Sequence, residues 1–359
     1  MINIALIGCT GSIGRQVCEV VRKFPKKFKF SALVCGSDER GLSALTTEFA
    51  PRIACSALQG VPQDVFDDCD VAFIAAGGFA GLEYTLRAIE AGKKIALANK
   101  ESLVCGGELV MREVKKKGLD LVPVDSEHSA LFQALSFRRD TPFKKLVLTA
   151  SGGPFLHFSE EELKTVTAAD ALRHPTWKMG AKITVDSATL LNKGYEVIEA
   201  KWLYGADYSQ IEAVVHPESI IHSLVYFEDG AAMAQMSYPD MRLPIQLALT
   251  YPKRLPCEKE LDLAALGTLH FERLPQEKFP CFALALKAGK AGGTCPTVMN
   301  GAAETAVFAF LEGRIAFPKI AETIECALDK IPRGKIDGFE ALKEADMRAR
   351  TLARNFIYG

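Results

Sequence analysis

Tryptophan, histidine and paired cysteines are scarce in this sequence. Its 359 residues include 2 tryptophans and 6 histidines, and none of the 10 cysteines forms a C-x-x-C pair. Cysteines without paired spacing argue against a zinc site or a disulfide framework, and they favour free thiols in a reducing compartment. We therefore expect a cytoplasmic protein.

Net charge and long apolar runs are also missing. Lys and Arg number 43 against 44 Asp and Glu, a formal net charge of −1, so any anionic ligand must be held by a local site rather than by a global field. The apolar run Val71–Leu82 contains three glycines and is shorter than the roughly 20 residues that cross a bilayer. The first residues, Met1–Gly8, carry no basic segment and predict neither a signal nor a transit peptide.

The composition is that of a folded protein with more than one domain. Hydrophobic residues make up 48% and charged residues 24%, and the length predicts two or three domains. Apolar runs alternating with helical patterns over residues 1–124 predict an α/β fold with a Rossmann-like, doubly wound parallel sheet. Residues 125–250 predict a central α+β catalytic domain with an open, partly antiparallel sheet. Prolines between Leu243 and Pro280 predict a linker, placed at 251–280, and helical periodicity predicts a C-terminal helical bundle over 281–359.

A glycine-rich turn follows the first predicted strand. Gly8, Gly11 and Gly14 are spaced as G-x-x-G-x-x-G. Glycines let the backbone approach a pyrophosphate, whose charge the N-terminus of the following helix stabilises. A turn without a ligand is the alternative, but its place between the first strand and the first helix favours a dinucleotide site.

The tip of the second predicted strand indicates which dinucleotide binds. An NAD site usually has a carboxylate there, whereas an NADP site leaves room for the 2′-phosphate and supplies donors to it. Gly36 and Ser37 stand at this tip, with Asp38 and Glu39 beyond them and Arg40 behind. This order favours NADP.

Two acidic residues follow the sixth predicted strand. Asp125 and Glu127 are two residues apart, so their side chains would face the same way in extended backbone. A third carboxylate would complete an oxygen-ligand site for a hard cation such as Mg²⁺ or Mn²⁺. Glu196 and Glu199, three residues apart on a predicted helix face, are the candidates. A solvated turn or a helix cap is the alternative for the Asp-x-Glu pair alone.

Hydroxyl, amide and ammonium groups recur in two further segments. Ser151 precedes two glycines, and Ser187, Asn192 and Lys193 follow within a polar run. These groups are the ones that bind a phosphate, although each alone also suits the surface near a helix end.

A loop bounded by proline and glycine lies between these two segments. Residues 172–180 contain Trp177 and Met179. A core aromatic is the alternative for Trp177, but its neighbours favour a mobile flap over a bound substrate.

These segments, together with one near the C-terminus, resemble a known family. In order they are GCTGSIG, LANKESLV, PVDSEHSA, SGGPF, HPTWKMGAKITVDSATLLNKGYEVIEA, VHPESIIHSLVYFEDGAAMAQMSYPDMR and PTVMNGAAETAVFAFLEGRI. Over nearly the whole chain they resemble the 1-deoxy-D-xylulose 5-phosphate reductoisomerase family. The chain departs from the family at Cys9, where serine is common, and in the loop 36–40, which lacks the usual lysine or asparagine.

The resemblance implies an enzyme of the non-mevalonate isoprenoid pathway. Members of this family rearrange 1-deoxy-D-xylulose 5-phosphate with the help of Mg²⁺ or Mn²⁺. They then reduce the resulting aldehyde with NADPH to 2-C-methyl-D-erythritol 4-phosphate. The family fold is a homodimer, and each protomer has an NADPH domain, a catalytic domain with a flap and a helical bundle. Its partner is a small sugar phosphate, not nucleic acid or a membrane.

The resemblance also implies the site residues. The metal ligands are Asp125, Glu127 and Glu196, to which the catalytic set adds Lys100 and His174. The substrate-binding residues are Ser126, Ser151, His174, Trp177, Met179, Ser187, Asn192 and Lys193. The cofactor-binding residues are Thr10, Gly11, Ser12, Ile13, Gly36, Ser37, Arg40, Ala76, Asn99, Glu101 and Gly180. His128 and His222 match two more family histidines near the site.

Two other classes of protein share parts of this pattern. A metal-independent dehydrogenase acting on a small hydroxy acid would not need three carboxylates, and its activity would survive EDTA. A catalytically silent dinucleotide-binding regulator would not need Lys100, Ser151, Asn192 or Lys193.

Overall fold

The chain folds into two compact units, each with a sheet of its own. The computed structural model describes residues 1–136, 140–177, 179–256 and 259–359. The first unit consists of Met1–Ser102, Val110–Ser129 and Asp240–Glu260, and the second of Leu103–Leu109, Ala130–Pro239 and Leu261–Gly359. The predicted α/β fold class is confirmed. The domain bounds drawn from the sequence stay a prediction.

The first unit contains a six-stranded parallel sheet. Its strand order is β3-β2-β1-β4-β5-β6, which is the doubly wound order of dinucleotide-binding folds. The apolar runs that predicted these strands are mostly buried, as expected for a parallel sheet covered on both faces, and the edge strand β3 is the exception. The strands are β1 Ile2–Ile7, β2 Phe28–Cys35, β3 Ile53–Ser56, β4 Val71–Ile74, β5 Lys94–Leu97 and β6 Leu121–Pro123.

Amphipathic helices accompany this sheet. In the first of them, Val17, Cys18, Val20 and Val21 form the buried face, at the spacing that a helix of 3.6 residues per turn requires. The helices of the first third are α1 Ser12–Lys23, α2 Glu39–Phe49, α3 Ala80–Glu90, α4 Glu101–Lys117 and α5 Ser126–Ala134, with short 3₁₀ helices at Ala57–Gln59 and Gln63–Phe66.

The second unit contains a mixed five-stranded sheet in the order β10-β9-β7-β8-β11. The pair β7 and β8 is parallel, whereas β9 runs antiparallel to β7 and to β10. This is the open, partly antiparallel sheet that the sequence predicted. The strands are β7 Lys145–Ala150, β8 Ile211–Val215, β9 Ile221–Tyr226, β10 Ala232–Met236 and β11 Glu272–Arg273.

Helices build the rest of the chain. The short or central ones are α6 Glu160–Leu163, α7 Ala168–Ala171, α8 Ala181–Ala188, α9 Leu191–Tyr204, α10 Arg242–Thr250 and α11 Leu263–Leu266, with a 3₁₀ helix at Tyr208–Gln210. The terminal ones are α12 Pro280–Ala291, α13 Cys295–Leu311, α14 Lys319–Lys330 and α15 Phe339–Tyr358. Small buried residues such as Ala302, Ala327 and Ala349 let α13, α14 and α15 pack closely into the predicted bundle.

One helix lies where prolines suggested irregular chain. Helix α10 covers the start of the stretch from Leu243 to Pro280, and Pro244 lies in its first turn. A proline costs no hydrogen bond there, because the first N–H groups of a helix have no partner within it. In the described part of the chain, no helix is both long enough and apolar enough to cross a membrane.

A substitution at Gly107 of α4 can show how tightly α4 packs against α9 in the second unit. A Cβ at this position would lie 2.2 Å from the ring of Trp202 on α9, so Gly107→Ala should lower the free energy of unfolding by about 1–3 kcal/mol through overpacking. Urea unfolding followed by circular dichroism measures the change. Gly77→Ala is the control, since nothing lies within 4 Å of its Cβ position. Equal stability of the two variants would contradict close packing of α4 on α9.

Candidate functional site

The glycine-rich turn between β1 and α1 is closely packed. Gly8 has a φ of +92°, and a Cβ there would lie 2.5 Å from the carbonyl oxygen of Ala75. A Cβ on Gly14 would lie 2.2 Å from the Gly8 carbonyl oxygen. Both contacts are far below van der Waals distance, so only glycine fits at these positions. The predicted cofactor residues Thr10, Gly11, Ser12 and Ile13 lie on this turn or open α1.

The start of α1 offers backbone donors. No side chain caps this helix, and its first turn holds no acidic residue. The first N–H groups of a helix have no partner within it and lie at the positive end of its dipole. The turn therefore has the properties of an anion site.

The tip of β2 carries Gly36 and Ser37 on the surface. Asp38 does not project freely beyond them, because its carboxylate accepts a hydrogen bond from the Gly41 N–H at 2.9 Å and lies 3.4 Å from Arg15. Arg40 is exposed in the first turn of α2. Sequence reasoning missed Arg15, although a basic residue one turn into the helix after the glycine-rich turn is a usable signal.

Asn99 and Glu101 form a hydrogen-bond network after β5. The Asn99 amide donates to the Gly78 carbonyl at 3.0 Å and to the Glu101 carboxylate at 2.7 Å, and its oxygen accepts from the Ser102 N–H at 2.8 Å. Glu101 and Asn99 are buried, so this network fixes the start of α4. Ala76, half-buried after β4, is the remaining cofactor candidate in this unit.

Lys100 and Asp125 form an ion pair in the first unit. Lys100 is 8% exposed, and the contact joins the end of β5 to the end of β6. The next two residues also interact, since the Ser126 hydroxyl donates to the Glu127 carboxylate at 2.5 Å.

The backbone around Asp125 differs from the extended conformation that the sequence suggested. The Asp125 carbonyl accepts from the Ser129 N–H at 2.7 Å, so α5 begins here and Glu127 lies in its first turn. Acidic residues are favoured in that position by the helix dipole. The prediction of an extended Asp-x-Glu pair was therefore wrong, and the helix-cap alternative describes the backbone.

Ser151, His174 and Ser187 come together in the second unit. The Nε2 atom of His174 lies 3.1 Å from both hydroxyl oxygens. A Cβ on Gly153 would lie 2.9 Å from the Ser187 carbonyl oxygen, so the two glycines after Ser151 allow its loop to approach α8. The structure thus places in contact three residues that are far apart in the sequence.

The protonation state of His174 follows from its partners. Its Nδ1 accepts hydrogen bonds from the backbone N–H groups of Thr176 at 3.2 Å and Trp177 at 2.9 Å. The ring proton must therefore lie on Nε2, facing the two serines. Burial lowers the pKa of His174 to about 4, which keeps the ring neutral near pH 7.

The predicted flap, residues 172–180, contains this histidine. Trp177 is half-buried, with its ring centroid 6.2 Å from that of His222, and Thr176 donates to the Pro217 carbonyl at 3.3 Å. Met179 is half-buried and Gly180 is exposed before α8. Lys178 lies outside the described residues.

Asn192, Lys193 and Glu196 form one cluster at the start of α9. The Lys193 ammonium donates to the Thr149 carbonyl at 2.5 Å and pairs with Glu196. The Asn192 amide donates to the other Glu196 oxygen at 2.7 Å. Glu199, the other candidate acid, is also buried, at 4% exposure.

The two remaining histidines named from the sequence are buried. His128 lies on α5 and His222 on β9, where the His222 Nε2 donates to the Ser237 carbonyl at 3.2 Å. The first unit thus contains all the cofactor candidates except Gly180. It also contains Lys100, Asp125, Ser126 and Glu127. The second unit gathers the phosphate candidates, the flap and Glu196.

Family models of known proteins match most of the chain. Residues 4–65 and 63–107 match 1-deoxy-D-xylulose 5-phosphate reductoisomerase, residues 121–204 match its C-terminal domain, and residues 236–352 match the DXP reductoisomerase C-terminal domain. The 1-deoxy-D-xylulose 5-phosphate reductoisomerase of Geobacillus sp. (strain WCH70) is 47% identical, and the match covers 99% of each chain. That of Listeria monocytogenes serotype 4b is 45% identical, with 99% of this chain and 100% of the relative covered.

Solved structures give the same result. A DOX-P reductoisomerase in complex with NADPH, fosmidomycin and magnesium is 36% identical, with a TM-score of 0.93 over 99% of this chain and 98% of that one. The 1-deoxy-D-xylulose 5-phosphate reductoisomerase from Zymomonas mobilis in complex with NADPH is 35% identical, with a TM-score of 0.89 and the same coverage. This chain therefore belongs to the 1-deoxy-D-xylulose 5-phosphate reductoisomerase family.

Proposed function

We propose that this protein converts 1-deoxy-D-xylulose 5-phosphate to 2-C-methyl-D-erythritol 4-phosphate with NADPH and a divalent cation, in the cytoplasm. One observation carries the proposal: the chain matches reductoisomerases over its full length, and the carboxylates, lysines and hydroxyls that this reaction needs are present in it. The thiols support the compartment, because every cysteine in the described part of the chain is free.

The glycine-rich turn fits NADPH. Its glycines allow close backbone approach, and the donors at the start of α1 suit a pyrophosphate. Arg40, exposed beside the tip of β2, would meet the 2′-phosphate, while Asp38 is already engaged with Gly41 and Arg15. When bound, NADPH supplies the hydride that reduces the aldehyde.

The acidic residues fit a hard cation. We assign Asp125, Glu127 and Glu196 as its ligands, because carboxylate oxygens are the donors that Mg²⁺ and Mn²⁺ prefer. Such a cation would polarise the ketone and hydroxyl oxygens of the substrate. Lys100 pairs with Asp125, and in this proposal its ammonium donates to the same substrate oxygens, with Ser126 next to Asp125 in the chain.

The second unit would hold the phosphate. The hydroxyls of Ser151 and Ser187, the Asn192 amide and the Lys193 ammonium supply donors to its oxygens. The proton on His174 Nε2, which faces both serines, adds a donor from the flap. Trp177 and Met179 would cover the substrate backbone and exclude water from the site of hydride transfer.

Turnover tests the proposal. NADPH oxidation is measured with 1-deoxy-D-xylulose 5-phosphate, with Mg²⁺ or Mn²⁺ and after EDTA, and NADH is compared as reductant. We expect metal-dependent oxidation of NADPH with a clear preference over NADH. Activity that survives EDTA would indicate a metal-independent dehydrogenase, and absence of turnover would contradict the proposal.

We also infer a homodimer, supported by strand β10, which among the described residues pairs only with β9. Strand β10 ends this sheet, and Met233 on it is 53% exposed. An unpaired edge strand with apolar side chains suits pairing with the same strand of a second copy about a twofold axis.

Substitution of one metal ligand should abolish most turnover. Asp125→Asn, Glu127→Gln and Glu196→Gln should each lower kcat by at least about 100-fold, because loss of one anionic ligand in three weakens a hard-cation site. NADPH affinity, measured by fluorescence, should stay the same. Glu199→Gln is the matched control, and an about 100-fold loss of kcat in that variant but not in Glu196→Gln would move the third ligand to Glu199.

Loss of a phosphate donor should appear in KM. Ser187→Ala should raise KM for the sugar phosphate about 10-fold or more, since one charge-assisted hydrogen bond contributes roughly 1.5–3 kcal/mol. Steady-state kinetics give KM, and NADPH binding should not change. Ser209→Ala, an exposed serine of the same unit, serves as control. A KM unchanged in Ser187→Ala would remove this residue from the phosphate pocket.

The buried His174 should make stability fall in acid. Its pKa is lowered from 6.5 to about 4 in the folded protein, so below about pH 6.5 the unfolded chain binds a proton that the folded one does not. The free energy of unfolding therefore has its full value, as far as His174 is concerned, above about pH 6.5 and falls as the pH is lowered toward 4. Urea unfolding at several pH values between 6.5 and 4 should show a smaller decrease in this free energy for His174→Asn than for the wild type. His157→Asn, at an exposed position, should behave as the wild type does, and an unchanged pH dependence in His174→Asn would contradict a neutral buried ring.

A charge on the sheet edge should break the dimer. Met233→Lys should reduce the mass measured by light scattering after gel filtration from two chains to one, because a buried unpaired ammonium at an interface is costly. Met347→Lys is the control, since Met347 is equally exposed, at 53%, but lies on α15. A dimer that survives Met233→Lys would place the interface elsewhere.

A further inference from the structure

His216 is buried and has a hydrogen bond at each ring nitrogen. It is 0% exposed, directly follows β8, and its ring stacks on Phe271 at 4.6 Å. Its Nδ1 lies 2.8 Å from the His270 carbonyl. Its Nε2 lies 3.1 Å from the backbone N–H groups of both Ile220 and Ile221. Because backbone N–H groups only donate and a carbonyl only accepts, the ring must be the neutral form with its proton on Nδ1.

These bonds close a loop onto the ring. The backbone N–H of Ser219 also donates to the His216 carbonyl at 3.1 Å, and the His216 N–H donates to the Ala150 carbonyl at 2.7 Å at the end of β7. Ser219 is buried, with a φ of +52°, a left-handed conformation that costs energy in a residue other than glycine. The Glu218 carboxylate of the same loop lies 3.0 Å from His216 Nδ1 and 2.5 Å from His270 Nδ1. His216 therefore joins the two ends of the loop, and Glu218 links its middle to the same histidine ring.

The loop is the surface that the flap contacts. Thr176 donates to the Pro217 carbonyl at 3.3 Å, and the Trp177 ring lies beside His222, which follows the loop on β9. Nothing in the geometry requires His216 to touch the substrate. Its effect on substrate binding would pass through the loop.

We propose that His216 is a positioning residue, which holds the loop of residues 216–220 and the start of β9 in the position that Thr176 and Trp177 of the flap contact. This inference rests on the proposed function, since its readout is reductoisomerase turnover. Purely structural burial of the ring predicts a loss of stability alone. Positioning predicts a selective change in KM for the sugar phosphate.

Two isosteric variants separate the two ends of the ring. In His216→Asn the amide group lies near the position of Nδ1, so the bond to His270 is kept and the acceptor for Ile220 and Ile221 is lost. In His216→Gln the amide reaches the position of Nε2, so its oxygen can accept from both loop N–H groups. The full-length protein is used throughout, with thermal unfolding recorded for each variant.

We expect His216→Asn to raise KM for 1-deoxy-D-xylulose 5-phosphate and Kd for fosmidomycin about 10-fold. The Kd for NADPH should stay within about twofold of the wild type. His216→Gln should recover a KM within about threefold of the wild type. Thr176→Val should raise KM in the wild type but add nothing in His216→Asn, because both changes break the same contact between loop and flap.

Equal KM values for the Asn and Gln variants, or effects of Thr176→Val that multiply with those of His216→Asn, would overturn the proposal. If His216→Asn does not fold, Phe271→Leu takes its place, because it loosens the ring without removing its hydrogen bonds. A raised KM that is coupled to Thr176→Val then supports the proposal, and an unchanged KM overturns it. Failure of the proposed function is recognised separately, as absence of turnover in the wild type. That result would contradict both the proposed function and the role of His216 in it.

Discussion

The buried contact between Lys193 and Glu196 is the constraint on which the placement of the second unit's candidate residues depends. The two side chains are 4% and 1% exposed, and taking both charges out of water costs several kcal/mol that their attraction alone does not reliably offset. Additional hydrogen bonds supply the difference, because the lysine also donates to the Thr149 carbonyl and the glutamate accepts from the Asn192 amide. Because Thr149 lies on β7 and the other three on α9, these bonds fix the start of the helix against the end of the strand.

This constraint explains the placement of the neighbouring groups. Ser151 follows Thr149 by two residues, so the strand end that holds Lys193 also sets the serine hydroxyl. His174 then reaches that hydroxyl from the flap segment. The first unit also contains a buried ion pair, in which Lys100 in the segment after β5 contacts Asp125 in the segment after β6. In each unit, hydrogen bonds and ion pairs near the strand ends thus fix the charged side chains. Such fixed charges suit catalysis, because they need not reorganise during a reaction.

The sequence predicts much of this fold because its patterns are local. Strands β1, β2 and β8 begin and end where alternating and continuous apolar runs begin and end, and the parallel sheet follows from their alternation with helices. Local patterns failed where two of them compete. Asp125 and Glu127 have strand residues before them and a helix after them, and the preference of acidic residues for a helix N-terminus decides the backbone. A proline such as Pro244 usually predicts the end of a helix, but Pro244 is tolerated because it lies in the first turn of α10.

The contacts of the site follow a different rule, because they join distant parts of the chain. Residue types and order suffice to name Ser151, His174 and Ser187 as candidates. That one imidazole nitrogen lies between two hydroxyls depends on how α8 packs against the loop after β7, and no spacing encodes it. Arg15 beside Asp38 and His216 beside Ile220 are further cases. Their partners are set by tertiary packing, which single-sequence patterns do not contain.

The first unit is assembled from three separate stretches of chain, of which the last, Asp240–Glu260, contains α10. That helix packs against α1, and its Ile245, Leu247 and Leu249 are buried. Synthesis on the ribosome begins at the other end, so the parallel sheet emerges more than a hundred residues before the helix that covers part of its apolar surface. Proteins usually complete their domains in the order of translation. Here the first unit cannot be completed until Asp240–Glu260 is made, which is after most of the second unit's sheet. The apolar surface that α10 covers is therefore exposed in the nascent chain during that time.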